Sequence, residues 1–238
     1  MTFKINQLDK IDYDTEGEAA LATYQDALLE RFYQSVEGQS FIETHPNTEM
    51  GFWAAQLMYY GYVYEGITIP RMRAEDVEII ITKLFPRKIS LFSAEDADDA
   101  IPELIVFWQF LEREYKLPNA DRILKFLHQI APAFKEMMMD SSNFGMAKSF
   151  FMMGQSAGYD MTDETDSQRF IAEYNAKMLA QGPQESRGLS LPSPEDFFDP
   201  FGGQQQGSSK RRGSNHVKKK KARKAAKVSQ KKNRKKRK

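Results

Sequence analysis

The sequence predicts an all-α protein: a compact bundle of six to seven helices, followed by a disordered linker and a basic tail. Three observations carry this prediction. Apolar residues recur at helical spacing in one segment after another between positions 15 and 181. Gly and Pro are sparse inside those segments and gather between them, as helix propensity requires. Charge is divided, because positions 210–238 hold seventeen of the 34 Lys and Arg and no Asp or Glu. Seventeen basic and thirty-three acidic residues remain in positions 1–209, so a body of formal charge −16 adjoins a tail of +17, and the net charge of +1 conceals both.

The elements follow in order after an N-terminal arm, residues 1–14. Thr15 with Glu18 reads as a capping box, and Leu21, Tyr24, Leu28 and Phe32 continue at helical spacing. A turn is expected at Phe41-Ile42, and a stop with a new N-cap at His45-Pro46-Asn47-Thr48. Trp53, Leu57, Tyr60 and Tyr64 then form the stripe of a central helix closed by Gly66. Val77, Ile80, Ile81 and Leu84 fit a helix, although Ile79-Ile80-Ile81-Thr82 also suits a short strand. The helix reading is preferred, with a break at Phe85-Pro86-Arg87-Lys88. Ser93 with Asp96 marks the next start, Pro102 fits a first turn, and Leu104, Trp108, Leu111 and Tyr115 follow. After Pro118-Asn119 come Ile123, Leu127, Ile130 and Phe134, with a kink expected at Pro132. Met146, Phe150 and Met153 define another helix, and Phe170, Tyr174 and Met178 a last one, opened by Thr162 and closed by Gly182. These helices make one globular domain over residues 15–181. No repeat of fixed period occurs, which leaves a solenoid as the second architecture.

Beyond Gly182 the composition changes. Residues 182–209 are rich in Gly, Pro, Ser and Gln, a linker composition, and contain Pro194-Glu195-Asp196-Phe197-Phe198-Asp199-Pro200-Phe201. Phe197, Phe198 and Phe201 form a candidate docking motif for a partner groove, or else pack on the body or attract the tail. The tail, residues 210–238, presents Lys210, Arg211, Arg212, Lys218, Lys219, Lys220, Lys221, Arg223, Lys224, Lys227, Lys231, Lys232, Arg234, Lys235, Lys236, Arg237 and Lys238. So dense a block of like charge repels itself and buries no apolar surface, so it is expected to be unstructured alone and to bind polyanions by counterion release. It lacks aromatic residues, so it contacts phosphates without stacking on bases.

Catalytic and metal-binding chemistry has little to rest on. Cysteine is absent, which excludes disulfides, thiol catalysis and Cys-ligated metal. Gly154-Gln155-Ser156-Ala157-Gly158 matches the nucleophile elbow, but an elbow needs a preceding strand and a later acid and histidine, and the later histidine here is His216 in the tail. The match is assigned to chance, the small residues marking a helix end or a close helix crossing. His45, His128 and His216 lack metal-ligand spacing. Glu95, Asp96, Asp98 and Asp99 are explained as acids at a helix start. No phosphate-cradling glycine loop occurs, and no cofactor is expected. The methionines at 137–139 and 152–153 read as core filling or an adaptable surface, with at least one of the first three at the boundary.

Three stretches carry a resemblance: Thr23-Tyr24-Gln25-Asp26-Ala27-Leu28-Leu29-Glu30, the segment from Leu84 to Ile89, and the segment from Asn143 to Gly154. In these the chain resembles an uncharacterised bacterial family of cyanobacterial type, over most of positions 15–181. The resemblance implies a bacterial cytosolic setting and brings no activity, cofactor or site.

The function expected is that of a non-enzymatic nucleic-acid-associated protein, bound to RNA or the ribosome ahead of DNA, with the acidic body as a protein-interaction module. The alternative is a helical adaptor whose tail is an intramolecular clamp or an anchor to an anionic surface. No signal-peptide h-region or membrane-length apolar run occurs, so no integral membrane association is expected. The expected location is cytoplasmic, at the nucleoid or ribosome, or nuclear in a eukaryotic host.

Overall fold

The computed structural model describes residues 3–11, 13, 15–91 and 93–181. Nine α-helices occupy them, and no strand occurs among these residues: α1 Thr15–Tyr33, α2 Val36–Thr44, α3 Phe52–Tyr60, α4 Ala74–Ile79, α5 Phe85–Lys88, α6 Ala100–Tyr115, α7 Ala120–Met139, α8 Met146–Ser156 and α9 Glu164–Gln181. The all-α bundle is therefore observed. None of the described helices is long and apolar enough to cross a membrane.

Helix α6 lies at the centre, with Leu104, Phe107, Trp108 and Leu111 fully buried, and it packs on α2, α3 and α7. Phe32 of α1 meets Phe107 and Phe110 with ring centroids 5.1 and 5.6 Å apart. Trp53 of α3 meets Phe85 and Phe134 at 5.5 and 5.8 Å. Each such ring contributes about 1.5–3 kcal/mol through apolar burial, as do the buried Leu, Ile and Met side chains packed around them. The arm joins the same core: Leu8 is buried, and Tyr24 and Tyr62 donate hydroxyl hydrogen bonds to the carbonyls of Ile5 and Ile11.

Several local expectations change. The turn at Phe41-Ile42 is instead part of α2, whose N-cap Ser35 accepts a hydrogen bond from Gly38 N–H at 3.0 Å. Gly38 is what admits α2 beside α1, because a Cβ there would stand 2.1 Å from the Phe32 carbonyl oxygen. The cap of α3 is Gly51 rather than a residue of His45-Pro46-Asn47-Thr48. Phe85-Pro86-Arg87-Lys88 does not break its helix, since α4 passes through a π-turn at Ile80–Leu84 directly into α5. In that wide turn Phe85 N–H bonds to the Ile80 carbonyl, five residues back, which admits Pro86 without the clash it makes in a regular α-turn.

Helices α8 and α9 form a smaller cluster of their own. Phe150 contacts Phe170 and Tyr174 at 4.9 and 5.1 Å. Asp163, rather than Thr162, caps α9, its carboxylate accepting from Asp166 N–H at 2.9 Å.

Candidate functional site

The residues expected to carry function, the seventeen tail cations from Lys210 to Lys238 and the aromatics Phe197, Phe198 and Phe201, lie outside the described residues, as does His216. What the structure places is the acidic body. Residues 1–181 hold sixteen basic and twenty-nine acidic side chains. Of the basic ones, Arg71, Arg113, Lys125, Lys135 and Arg169 are each paired with a carboxylate. A surface so composed repels phosphate.

The elbow residues take another form. Ser156 sits in the last turn of α8, and its hydroxyl donates to the Met152 carbonyl at 2.8 Å. Gly158 adopts φ +89° just past the helix end, the left-handed conformation of a C-terminal stop. Gly154 is a packing site, because a Cβ there would lie 2.1 Å from Met161 Sδ. The acids at 95–99 are likewise engaged. Asp96 accepts from the backbone N–H and hydroxyl of Ser93, Lys135 bridges Glu95 and Asp98, and Asp99 accepts from the Thr48 hydroxyl. No group of acids and histidines suited to a metal ion occurs among the described residues. His128 is exposed on α7, while His45 caps α2 and stacks on Phe41 with centroids 4.3 Å apart. In the methionine runs Met138 is fully buried, Met137, Met139 and Met152 are half-buried, and Met153 is exposed.

Two buried charges escaped the sequence reading. Glu103 of α6 is fully buried, and its Oε1 accepts the Ala54 N–H at 2.8 Å, so that α6 caps α3 across the core. Burial is the main cause that pushes its carboxyl up to about 7, with Asp99 adding to it. The legible signal was its place on the stripe of Ala100, Phe107 and Phe110. Lys148 of α8 is 3% exposed, donates to the Met138 carbonyl at 2.9 Å and lies over the Phe144 ring, and burial lowers its ammonium to about 8. It satisfies the C-terminus of α7 and anchors α8 to it.

An open groove of about 580 Å³ runs between α2 and α6, lined by Val36, Phe41, His45, Pro102, Ile105 and Val106 among others. Val36 is 78% exposed at its edge. Half of the ten lining residues are polar, so the groove mixes aliphatic and aromatic surface with hydrogen-bonding groups, as the rim of a protein contact does. Glu37, one of the lining residues, is held by Arg113, whose Nε lies 2.6 Å away.

Compared with family models, curated proteins and solved structures, the chain matches none.

Proposed function

We propose that this chain is a non-enzymatic nucleic-acid-associated protein whose tail grips phosphates without reading sequence, while the acidic helical body serves as a protein-interaction module. RNA, free or in the ribosome, is the preferred polyanion, and the working location is the cytoplasm, at the nucleoid or ribosome, or the nucleus in a eukaryotic host. The bacterial setting implied by the resemblance is part of the same proposal. One observation carries the reading: half of the chain's 34 basic residues fall in positions 210–238 with no acid among them, beside a body of the opposite sign. Phosphate affinity is therefore assigned to the tail alone. The α2–α6 groove supports the interaction role of the body.

Affinity measured against salt tests the reading. If about ten tail cations meet phosphates, log K against log salt has a slope near −7 for single strands and near −9 for duplex DNA. Removal of residues 210–238 abolishes binding, and scrambling their order changes little. A slope near −2 overturns the assignment.

The acidity of the body favours a second reading, a helical adaptor in which the tail is a clamp on that acidity or an anchor to an anionic surface. The absorbance ratio at 260 and 280 nm of purified protein with and without residues 210–238 separates the two. Nucleic acid that co-purifies only with the tail supports the first reading, and clean spectra for both chains support the second.

A further inference from the structure

Glu103 is an interior acid that the proposed function leaves unused. Its Oε1 accepts the Ala54 N–H at 2.8 Å, one of the donors that the first turn of α3 leaves without a helical partner. Gly51 provides no side-chain cap, and no other residue fits there. Its φ is +99°, and a Cβ would stand 2.1 Å from the Tyr33 hydroxyl oxygen. The start of α3 therefore depends on an acid from another helix. Glu103 Oε2 is buried with no hydrogen-bond partner.

The ionisable groups facing this carboxyl are acidic or neutral. Asp99 faces it from the N-cap of α6, and Tyr33 faces it from α1, with its hydroxyl donating to the Met50 carbonyl at 3.0 Å. Tyr33 also senses Glu49 of the loop and Glu30 and Asp26 of α1. The segment of α3 at this point, Phe52 to Tyr60, carries no charge. Asp99 is held in turn by Thr48, and its Oδ1 lies 3.9 Å from His45 Nε2. Both residues belong to the loop joining α2 to α3, and His45 also lines the α2–α6 groove.

We propose that Glu103 is a proton-operated latch on this loop: the neutral carboxyl clamps residues 45–51 and the start of α3 to α6, and loss of its proton to solvent opens the clamp locally and reshapes the α2–α6 groove. An anion at this place is buried away from water with a second carboxylate facing it, and local opening returns it to water. The device does not depend on whether the tail binds nucleic acid.

The sign follows from linkage. The closed form holds its proton up to about pH 7, whereas an exposed glutamate releases it near 4.3. Between those limits the open form binds fewer protons than the closed one, so opening becomes about tenfold easier per pH unit and then levels off. Backbone amide exchange on the full chain, corrected for the intrinsic pH dependence of exchange, measures it. Protection of Ala54 falls roughly fortyfold from pH 5 to 7 and only about a further twofold from 7 to 8.5, while that of Leu127 in α7 does not follow. In Glu103→Gln this amide loses the dependence. Should Glu103→Gln fail to fold, Asp99→Asn removes the facing charge and moves the end of the fall to lower pH. Flat protection in the wild type, an unchanged fall in Glu103→Gln, a parallel fall at Leu127 or an unmoved profile in Asp99→Asn overturns the latch.

Discussion

At Lys148 the chain buries an ammonium whose hydrogen-bond acceptor is a backbone carbonyl, that of Met138, rather than a carboxylate. Burial lowers its pKa to about 8 from an ordinary 10.5. Below pH 8 both folded and unfolded states carry the charge and the fold bears the whole burial cost. Between 8 and 10.5 the unfolded state binds more protons, so stability rises with pH. The urea midpoint of the wild type is therefore expected to climb from pH 8 to 9.5, and that of Lys148→Met to stay level. The window stops there because Tyr33 and Tyr115 have raised pKa values, which act in the opposite direction at higher pH. Trp53 and Trp108 were legible as core from helical spacing alone, and both are buried. Trp53→Ala and Trp108→Ala are expected to cost about 3–5 kcal/mol each in chemical denaturation, and small losses at both would mean that neither ring holds the spine together. The stripe could place Glu103 inward, but the roles of Lys148 and Glu103 were not legible, because what makes a buried charge tolerable is a partner remote in the chain. The terminus of α7 lies ten residues before Lys148, and that of α3 forty-nine before Glu103.

At the scale of the element, periodicity located α1, α3, α6, α7, α8 and α9, since each lays an apolar stripe on a neighbour. It lost α2, whose stripe is short and whose Gly38 is a close-approach residue, and it cut α4–α5 at Pro86, because propensity rules presume regular α-turns. Pro132 is the opposite case. It lies exposed within α7, which runs without interruption from Ala120 to Met139. The ring removes one backbone donor and crowds the carbonyl four residues back, a cost of up to about 3 kcal/mol in a helix interior. Pro132→Ala is thus expected to stabilise the body by about 1–3 kcal/mol, read as a higher denaturant midpoint with an unchanged m-value. A loss of stability would mean that the ring fixes a bend on which the packing of Phe134 and Met138 depends.

For the whole molecule, two parts of opposite charge are joined in one chain, and the apolar stripes all precede Gly182, so residues 1–181 are expected to melt cooperatively as a helical domain without the tail. The tail's own response to a polyanion is the remaining prediction. Val217 to Gln230 is mostly Lys, Arg and Ala, all good helix formers, and no Gly or Pro lies between Val217 and Lys238. Like charges at helical spacing, such as Lys220 with Lys224 and Lys224 with Lys227, oppose a helix in the isolated segment. Phosphates neutralise those pairs. A peptide of residues 210–238 is therefore expected to give a coil spectrum in dilute buffer and growing ellipticity at 222 nm as RNA or sulfate is added. The gain is partial, because each ordered residue costs about 1–2 kcal/mol of backbone entropy and loose phosphate contacts offset only part of it. If saturating RNA leaves the spectrum unchanged while binding is confirmed by anisotropy, the tail holds its partner as an unordered polycation, and its affinity is set by charge density alone.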